Sequence, residues 1–550
     1  MEVVCLLTIL IFKIKSYMNH IELFAGCGGL SLGLETTGFE LLLANELSPM
    51  ASETFAYNHL NADLEALDNI DKVLWISSGY KRDKIKARLR ENPNDAAGLE
   101  KNHHSDLIDL KPSCDQLRRS LLVGSILDLN TILSVRGSQL LKSLKEGLGD
   151  GSVDLVSGGP PCQSFSLAGL RDANNQRNEL PWEFARFVGK VKPKIALLEN
   201  VSGILRPFKI DGNQYFAWFE VAKAFAKVGY IPLCLHVNAK YTGAAQNRPR
   251  FIMIALRYDI YRSVKRNCDN QTLVDLLQPS YELHRDLKKG ENPVYGCLPY
   301  YDVEKHPEAF DDTILQPLIS DFKQLASVKD AIDDLRGKAV PEGEYVKRIN
   351  DRYVNRYDRP ADKLGNHELR NNSSKIRARF RLYQILAKLP KKDAKAITNY
   401  LKSKELEGSL ELPPSAVNQL KQHWMLDTSG TEISRPTSAQ VINIIGQLHT
   451  KKQTQRVLIA DEPAPAALSI PDDACHYHES KGMQRTLTVR EMARIQSFPD
   501  WYQIKSKVTT GGQMRKFEVP QYTQIGNAVP PLLGVALGEV CRELIKIAEQ

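Results

Sequence analysis

The chain has 550 residues, a net charge of +8 and the apolar and charged fractions of a globular protein, so more than one domain is expected. Its nine cysteines, an odd number without a CxxC pair, argue against a disulfide framework and a structural zinc site, and indicate a reducing compartment. The mild basicity permits a nucleic-acid partner but does not demonstrate one, because such a charge is common.

The first predicted strand begins at Met18, directly before "NHIELFAG". The preceding apolar run, residues 3–12, is too short to cross a bilayer. No lysine or arginine precedes it, and no small-residue cleavage site precedes the first strand, so a signal peptide is not indicated. We therefore expect residues 1–17 to be a dispensable extension, and the protein to lie in the cytoplasm without a membrane anchor.

From residue 18 to residue 257, strand-like runs alternate with helical segments. "HIELF" leads into a glycine turn and a helix from about Leu30, and the strand "FELLLANE" leads into a helix that Ser48 and Pro49 open as N-cap and first residue. More apolar runs suited to buried strands follow: "SLLVGSI", "VDLVSGG", "KIALLENV", "IPLCLHVN" and "RFIMIAL". This alternation predicts an α/β fold with a mostly parallel sheet.

Two stretches depart from this pattern. Residues 61–120 are polar and charged, and we interpret them as an insertion of solvated helices at the rim of the sheet. Residues 258–484 show no βα alternation and are expected to form a second domain. Its basic segment "KIRARFRLYQILAKLPKK" would contact phosphates, and Arg356 and Arg359 are candidates for reading bases. The core pattern returns in residues 485–550, beginning with "RTLTVREMARIQSFP".

The first glycine turn and the end of the second strand point to a nucleotide-type ligand. "FAGCGG" follows a strand and opens a helix, where glycines let a ligand approach the backbone. Glu46 ends the second strand 20 residues after Gly26, where such sheets place an acceptor for ribose hydroxyls. The pair suggests an adenosine-containing cofactor, although Ser31 replaces the third fingerprint glycine and a plain tight turn stays an alternative.

Reactive side chains follow three later strands. Cys162 lies in "SGGPPCQSFS" at the carboxyl end of a strand, and its prolines and glycines make a shaped turn that apolar packing does not explain. A fixed, partly exposed thiol is typical of a nucleophile. Glu199 ends "KIALLENV" at the same expected edge, and "QNRPR" supplies Arg248 and Arg250 just before another strand. Two guanidinium groups on one face suit an acceptor oxygen.

Together these blocks resemble the DNA cytosine-5 methyltransferase family of bacterial restriction-modification systems. The resemblance covers about residues 19–257 and 485–549, and the family's blocks recur in its order. They are "ELFAGCGG", "NE" at Asn45 and Glu46, "GGPPCQSFS", "ENV", "QNRPR", "LTVREMARIQSFPD" and "QIGNAVPP". No single block is decisive, but their joint occurrence by chance is implausible.

The resemblance implies a Rossmann-like core that binds S-adenosylmethionine, a smaller target-recognition domain, and methylation of C5 of a cytosine flipped out of duplex DNA. The implied cofactor-binding residues are Phe24, Gly26, Gly28, Glu46, Leu47, Ser125, Ile126, Pro160, Asn527 and Ala528. Phe24 would lie near the adenine, and Asn527 with Ala528 would return to the pocket beside the first turn. Glu46 would hold the ribose hydroxyls.

The resemblance also implies the catalytic roles. Cys162 would add to C6 of the cytosine, and Glu199 would hydrogen-bond to N3 or protonate it. Arg250, helped by Arg248, would hold O2 as negative charge develops there. The implied protein is a monomer that acts on double-stranded DNA, needs no metal, and has a cognate restriction endonuclease as its functional partner.

Ser125 is the main departure from the family pattern. The family usually has an aspartate at this position, which contacts the adenine amino group. Serine accepts hydrogen bonds more weakly than a carboxylate, and Asp128 is a candidate substitute.

Two other functions stay open. One branch of the family methylates a tRNA cytosine, but the "CFT" signature of that branch does not occur in residues 258–484. A catalytically inactive, DNA-binding regulator on the same fold is disfavoured by the intact Cys162, Glu199 and Arg250.

Overall fold

The structure is a computed structural model that describes residues 17–93, 109–110, 117–161, 179–210, 213–337, 340–360, 364–403, 412–452, 454–466, 471–512, 514 and 517–550. The strands are β1 (Met18–Leu23), β2 (Phe39–Glu46), β3 (Val73–Trp75), β4 (Ser120–Val123), β5 (Leu155–Gly158), β6 (Ile195–Val201), β7 (Phe208–Ile210), β8 (Asn213–Tyr215), β9 (Tyr230–Asn238), β10 (Gln246–Asn247), β11 (Pro249–Arg257), β12 (Tyr301–Asp302), β13 (Met425–Leu426), β14 (Glu432–Ile433), β15 (Arg456–Val457), β16 (Ala464–Pro465) and β17 (Ala474–Cys475).

The helices are α1 (Gly29–Thr36), α2 (Pro49–Leu60), α3 (Ile85–Arg88), α4 (Ile126–Ser134), α5 (Gln139–Lys145), α6 (Leu180–Val191), α7 (Ala217–Lys227), α8 (Tyr258–Asn267), α9 (Gln271–Lys288), α10 (Val328–Ile332), α11 (Glu344–Arg352), α12 (Ser374–Leu386), α13 (Lys391–Lys402), α14 (Pro414–Leu420), α15 (Ser438–Gln447), α16 (Val489–Ile495), α17 (Gln521–Asn527) and α18 (Pro531–Glu549). Within the described part of the chain, none of them has the length and apolar character needed to cross a membrane.

Nine strands form one sheet in the order β12-β9-β11-β6-β5-β1-β2-β4-β3. Neighbouring strands are parallel except around β11, which runs antiparallel to both β6 and β9. Helices α4, α6 and α7 cover one face, and α1, α8 and α18 cover the other. The strands read as apolar runs because both faces are buried. The predicted α/β fold with a mostly parallel sheet is confirmed.

The antiparallel strand β11 determines where the polar groups meet. The carboxyl ends of the parallel strands share one edge of the sheet, and β11 begins at that same edge because its direction is reversed. Open sheets of this kind bind ligands at this edge. Residues that end β2, β5 and β6 and the residue that starts β11 are thereby collected along one line.

The interpretation of residues 61–120 as an insertion of solvated helices was wrong in part, because the stretch also contributes a strand to the sheet. β3 extends the sheet beside β4. Trp75 is buried, and the guanidinium carbon of buried Arg88 lies 5.2 Å from the ring centroid. Arg88 also pairs with Asp109 at 2.6 Å. A three-residue strand among charged residues leaves no alternating pattern, so its burial was not visible in the sequence.

Residues after Arg257 continue the same sheet before a second unit begins. Helix α9 packs on β9, and β12 pairs with β9 in parallel. A separate hydrophobic core is then built by α12, α13, α14 and α15 with short strands, over residues 376–475. The division of the chain into functional domains stays a prediction.

Two arginines of the basic segment lie inside that second core. Arg379 donates from Nε to the Leu448 carbonyl at 3.0 Å, and the Arg381 guanidinium lies 4.0 Å from the Trp424 ring centroid. Both side chains are buried. The expectation that they contact phosphates was wrong, because carbonyl oxygens and an aromatic ring within the unit already hold them.

The predicted base-reading arginines are attached to the sheet-bearing core instead. The Arg359 guanidinium lies 3.7 Å from the ring centroid of Tyr57 in α2 and donates to the Tyr57 carbonyl. Arg356 Nη2 lies 3.6 Å from Glu35 Oε1 in α1. Both arginines therefore have partners in the core, and the reading of bases by residues 355–372 stays a prediction.

The last part of the chain packs against the start of the sheet. Helix α16 begins with a capping box in which the Thr488 hydroxyl accepts the Glu491 N–H and the Glu491 carboxylate accepts the Thr488 N–H. Helix α18 runs along α1. A Cβ placed on Gly33 would be 2.4 Å from the Gly534 carbonyl carbon, so the two backbones are in close contact there.

Candidate active site and cofactor pocket

The turn between β1 and α1 has the backbone of a ligand-binding turn. Phe24, Gly26 and Gly28 have φ angles of 55°, 56° and 89°. Left-handed angles at nearby residues are typical of turns that present backbone N–H groups to a ligand. No atom lies within 4 Å of the position that a Cβ on Gly26 would take, so the turn leaves open space at this point.

Glu46, at the end of β2, is fixed against this turn. Its Oε2 accepts the Gly26 N–H at 2.8 Å, and its Oε1 accepts the Ser48 N–H at 2.7 Å. Burial raises the pKa of this carboxyl, and the two N–H groups oppose the rise. The residue remains half-buried, so the carboxylate is both held in place and accessible to a hydroxyl-bearing ligand.

Two side chains that the sequence did not single out hold the turn from behind. His59 Nε2 lies 3.2 Å from the Gly28 carbonyl oxygen and 3.0 Å from the Tyr502 hydroxyl, which in turn donates to the Cys27 carbonyl. A Cβ on Gly28 would be 2.3 Å from His59 Nε2, so only glycine fits. His59 and Tyr502 are 443 residues apart, and no local pattern marks either of them.

The segment after α17 lies directly on the first turn. The Val529 carbonyl oxygen is 2.2 Å from the position of a Cβ on Gly29. Asn527 is exposed and Ala528 is buried, and the Asn527 carbonyl accepts a hydrogen bond from Arg248 Nη2 at 3.2 Å. The structure thus brings both predicted C-terminal cofactor residues next to the glycine turn.

A cleft opens beyond the ends of β2 and β4, next to this turn. Ser125 caps α4 by accepting the N–H two residues on at 3.2 Å, Ile126 is buried, and Leu47 is exposed. Asp128 is not among the described lining residues, and its Oδ2 accepts the Ser77 hydroxyl at 3.3 Å. The cleft is lined by Leu47, Pro49, Trp75, Ser77, Glu91, Pro93, Val123, Gly124 and Ser125.

These features fit an adenosine-containing cofactor. Glu46 offers an anchored carboxylate for vicinal hydroxyls, and the open space at Gly26 offers a place for a chain against the backbone. The adjacent cleft has apolar walls at Leu47 and Val123, which suit the face of a planar base.

Glu199 and Arg250 meet farther along the same edge. Arg250, at the start of β11, is paired in register with Val201 at the end of β6. Its Nε lies 2.6 Å from Glu199 Oε1, and the two side chains are 9 % and 11 % exposed. A pair with so little exposure interacts strongly, yet it still touches the surface from which a substrate would come.

The residues just before Cys162 lie over this pair. A Cβ on Gly159 would be 2.9 Å from Glu199 Oε2, so the glycine backbone and the carboxylate are in contact. The buried Pro160 accepts a hydrogen bond from the Asn200 amide through its carbonyl oxygen at 3.1 Å. Cys162 itself lies outside the described residues, and the position of its thiol stays a prediction.

Arg248 is more deeply buried than the pair of Glu199 and Arg250. It is 1 % exposed, and its Nη2 holds the Asn527 carbonyl. Burial lowers the pKa of this guanidinium, the neighbouring Arg250 adds to the effect, and Glu199 opposes it. Its contact with Asn527 joins this edge of the sheet to the C-terminal segment, and a role of Arg248 at O2 of the cytosine stays a prediction.

The model of the C-5 cytosine-specific DNA methylases matches residues 18–81 and 141–543 of the chain. The chain belongs to this family. It is similar to the type II methyltransferase M.DdeI of Desulfomicrobium norvegicum, at 26 % identity over 95 % of this chain and 88 % of that protein. It is also similar to M.AgeI of Thalassovita gelatinovora, at 26 % identity over 96 % of this chain and 100 % of that protein. Membership of this family confirms the predicted activity, which is methylation of cytosine C5 in DNA.

Three side chains of this methylase form a hydrogen-bonded series along the same edge of the sheet. The sequence did not indicate this series. The Ser202 hydroxyl, just after β6, lies 2.9 Å from His236 Nε2 in β9. His236 Nδ1 lies 2.8 Å from Asp302 Oδ2 in β12. Burial raises the pKa of Asp302, but the hydrogen bonds from His236 and the Glu304 N–H, together with the charges of His236 and Lys305, lower the net pKa. Three strands distant in sequence supply these residues, so no local signal could reveal them.

Proposed function

We propose that this methylase transfers the methyl group of S-adenosylmethionine to C5 of a cytosine within a specific sequence of duplex DNA. The observation that carries the proposal is the 2.6 Å contact between Glu199 and Arg250, overlaid by Gly159 and Pro160 directly before Cys162. A carboxyl and a guanidinium side by side match the N3 and O2 atoms of one edge of cytosine.

Glu199 and Arg250 each keep a hydrogen-bonding atom that is available to a base. Arg250 Nε contacts Glu199 Oε1, and Arg250 Nη1 donates to the Pro249 carbonyl at 2.9 Å. Within the described part of the chain, no residue forms a hydrogen bond with Glu199 Oε2 or Arg250 Nη2. We therefore assign Oε2 to N3 of the cytosine and Nη2 to O2.

These groups make cytosine C5 reactive. C5 alone is too weak a nucleophile to take a methyl group, so the Cys162 thiolate adds to C6 and forms an enamine whose C5 is electron-rich. Glu199 donates its proton to N3, and Arg250 stabilises the negative charge that develops on O2. Once C5 is methylated, its proton leaves to water and the C6–S bond breaks with its electron pair returning to the Cys162 thiolate. The N3 proton returns to Glu199, and the aromatic ring is restored.

The first turn supports S-adenosylmethionine as the cofactor, which supplies an electrophilic methyl group when bound. We assign the ribose hydroxyls to Glu46 and the methionine part to the open backbone at Gly26. Phe24, whose ring packs edge-on against Phe184 with centroids 6.5 Å apart, would border the adenosine. Asn527 would close the pocket from the C-terminal segment.

We also propose that the predicted target-recognition domain, residues 258–484, reads the DNA sequence through the unit that contains the second core. This unit has its own hydrophobic interior and carries exposed cations suited to phosphates, namely Lys375, Arg377, Lys391 and Lys392. Base-specific contacts would come from other side chains of this unit, since phosphate contacts carry no sequence information. The target base has to leave the duplex, because stacking hides the face that a thiol must reach.

Bisulfite sequencing of DNA from a host expressing the chain tests the main proposal. Wild type should leave 5-methylcytosine in one sequence context, and Cys162→Ala should leave none while it still binds S-adenosylhomocysteine. Cys297→Ala, at an exposed cysteine elsewhere, is the matched control and should behave as wild type. A duplex with 5-fluorocytosine should trap the wild type covalently, because fluorine cannot leave as a proton does. Continued turnover by the Cys162 variant would contradict the mechanism.

The relatives support a place in a type II restriction-modification system, with a cognate endonuclease that cuts the same unmethylated sequence. The expected monomer is part of this proposal, because one chain supplies both the catalytic edge and the second core. Challenge of host DNA with nuclease extracts of the source strain, with and without the methylase, tests the endonuclease. Equal cleavage of both DNAs would argue against it.

A further inference from the structure

We propose that Glu91, in the polar stretch before β4, accepts a hydrogen bond from the exocyclic amino group of the cofactor's adenine. This inference rests on the proposed use of S-adenosylmethionine and concerns a stretch outside the blocks that carry the family resemblance. The observations that carry it are the lining of the cleft and the way in which the Glu91 carboxylate is held.

The cleft is the space next to the assigned ribose site. Its wall begins at Leu47, the residue directly after Glu46, and continues through Gly124 and Ser125 at the end of β4. A ribose bound by the Glu46 carboxylate carries its base on the adjacent carbon, so the base enters the neighbouring space. Adenine offers there an apolar face and an amino group with two N–H donors.

The outer wall of this cleft is held by contacts within the fold. Trp75, Ser77 and Glu91 line it, and all come from the stretch that adds β3 to the sheet. The wall is anchored by the buried pair of Arg88 and Asp109, and Asp109 also accepts the Trp75 N–H at 3.1 Å. The wall is therefore fixed in place without a ligand.

Two hydrogen bonds hold the Glu91 carboxylate within that wall. Its Oε2 accepts the Ser78 hydroxyl at 2.7 Å, and its Oε1 accepts the Gly79 N–H. A carboxylate has about four lone-pair sites on its two oxygens, so it can take a further donor. The residue is half-buried rather than enclosed, which leaves the carboxylate reachable from the cleft.

The other described lining residues are poorer acceptors. Glu91 is the one carboxylate among them, and most of the rest are apolar. The Ser125 hydroxyl already accepts the Leu127 N–H, and the Ser77 hydroxyl donates to Asp128. A charged acceptor forms stronger hydrogen bonds than a hydroxyl oxygen. The geometry therefore favours Glu91 over Ser125 for the amino group.

Calorimetry with S-adenosylhomocysteine and with its analogue lacking the 6-amino group tests this assignment. Wild type should bind the amino compound about tenfold more tightly, as expected for a hydrogen bond to a charged group. In Glu91→Gln the single amide oxygen stays with the Gly79 N–H and the NH₂ group faces the adenine, so the preference should fall to about twofold or less. Glu65→Gln, at an exposed glutamate of the same stretch, should keep the full preference.

Two further variants make the result decisive. Ser125→Ala should keep the preference, and Glu91→Asp, which withdraws the carboxylate by one methylene, should reduce it. Unchanged preference in both Glu91 variants, or its loss in Ser125→Ala, overturns the inference while the cofactor assignment stands. Failure of the folded wild type to bind either compound overturns the cofactor assignment and this inference together.

Discussion

Glu22, in the middle of β1, gives the stability of this methylase a specific dependence on pH. The residue is 2 % exposed, and its carboxyl accepts the Ser31 hydroxyl. Burial raises the pKa of Glu22 to about 8, the hydrogen bond from Ser31 opposes the rise, and Glu35 and Glu46 add to it. The folded protein therefore keeps this carboxyl protonated at pH values at which the unfolded chain has lost the proton.

The sign and size follow from proton linkage. A pKa raised in the folded state gives a contribution that is fully present below the unfolded pKa and is lost as the pH rises through the folded pKa of about 8. Inside that window the loss is about 1.4 kcal/mol per pH unit, or roughly 3 kcal/mol between pH 5.5 and 7.5. Glu22→Gln removes the ionisation and keeps a hydrogen-bonding group at Ser31.

Urea unfolding of the unliganded protein at pH 5.5, 6.5 and 7.5 measures this directly. The free energy of unfolding of Glu22→Gln minus that of wild type should increase by roughly 3 kcal/mol across the series. Glu65→Gln, at an exposed position, should show no such trend. A difference that is the same at all three pH values would refute the reasoning, because it would mean that Glu22 is ionised in the folded state throughout.

Gly29→Ala places a Cβ 2.2 Å from the Val529 carbonyl oxygen, so it should push the C-terminal segment off the first turn and weaken S-adenosylhomocysteine binding at least about tenfold, measured by calorimetry. A chain that starts at Met18 should methylate DNA at the wild-type rate, and loss of activity would show that the preceding residues are needed. Arg359→Ala removes the guanidinium 3.7 Å from the Tyr57 ring centroid, so it should cost about 1–2 kcal/mol of stability and leave the methylated sequence unchanged. A shifted bisulfite pattern in this variant would support its role in base reading.

The strands and the polar residues at their ends could be predicted because burial on both faces leaves a strong trace in the sequence. A run such as that of β6 is apolar until Glu199, so the carboxylate stands out where the strand reaches the edge. Glu46 stands out at the end of β2 for the same reason. Single residues did not indicate the role of each side chain. The order of the sequence blocks did, because it carries the resemblance to the family.

The features that were missed depend on contacts between distant segments. His59 and Tyr502 meet across 443 residues, and neither has a local pattern. Charge alone also misled, because Arg381 and Arg359 are basic residues whose partners are the rings of Trp424 and Tyr57. The sequence shows a cation in each case, but whether it faces a phosphate or an aromatic ring depends on the tertiary fold.

Because the last segment packs on the first turn, that turn completes its contacts only late in biosynthesis. Gly29 leaves the ribosome long before Val529, and at roughly 5–20 residues per second the interval is about 25–100 s. During this time α1 lacks α18, the helix that later covers its apolar side. The nascent chain must therefore carry an uncovered apolar face that chaperones can bind. A chain that ends before α18 therefore lacks the helix that covers this side of α1.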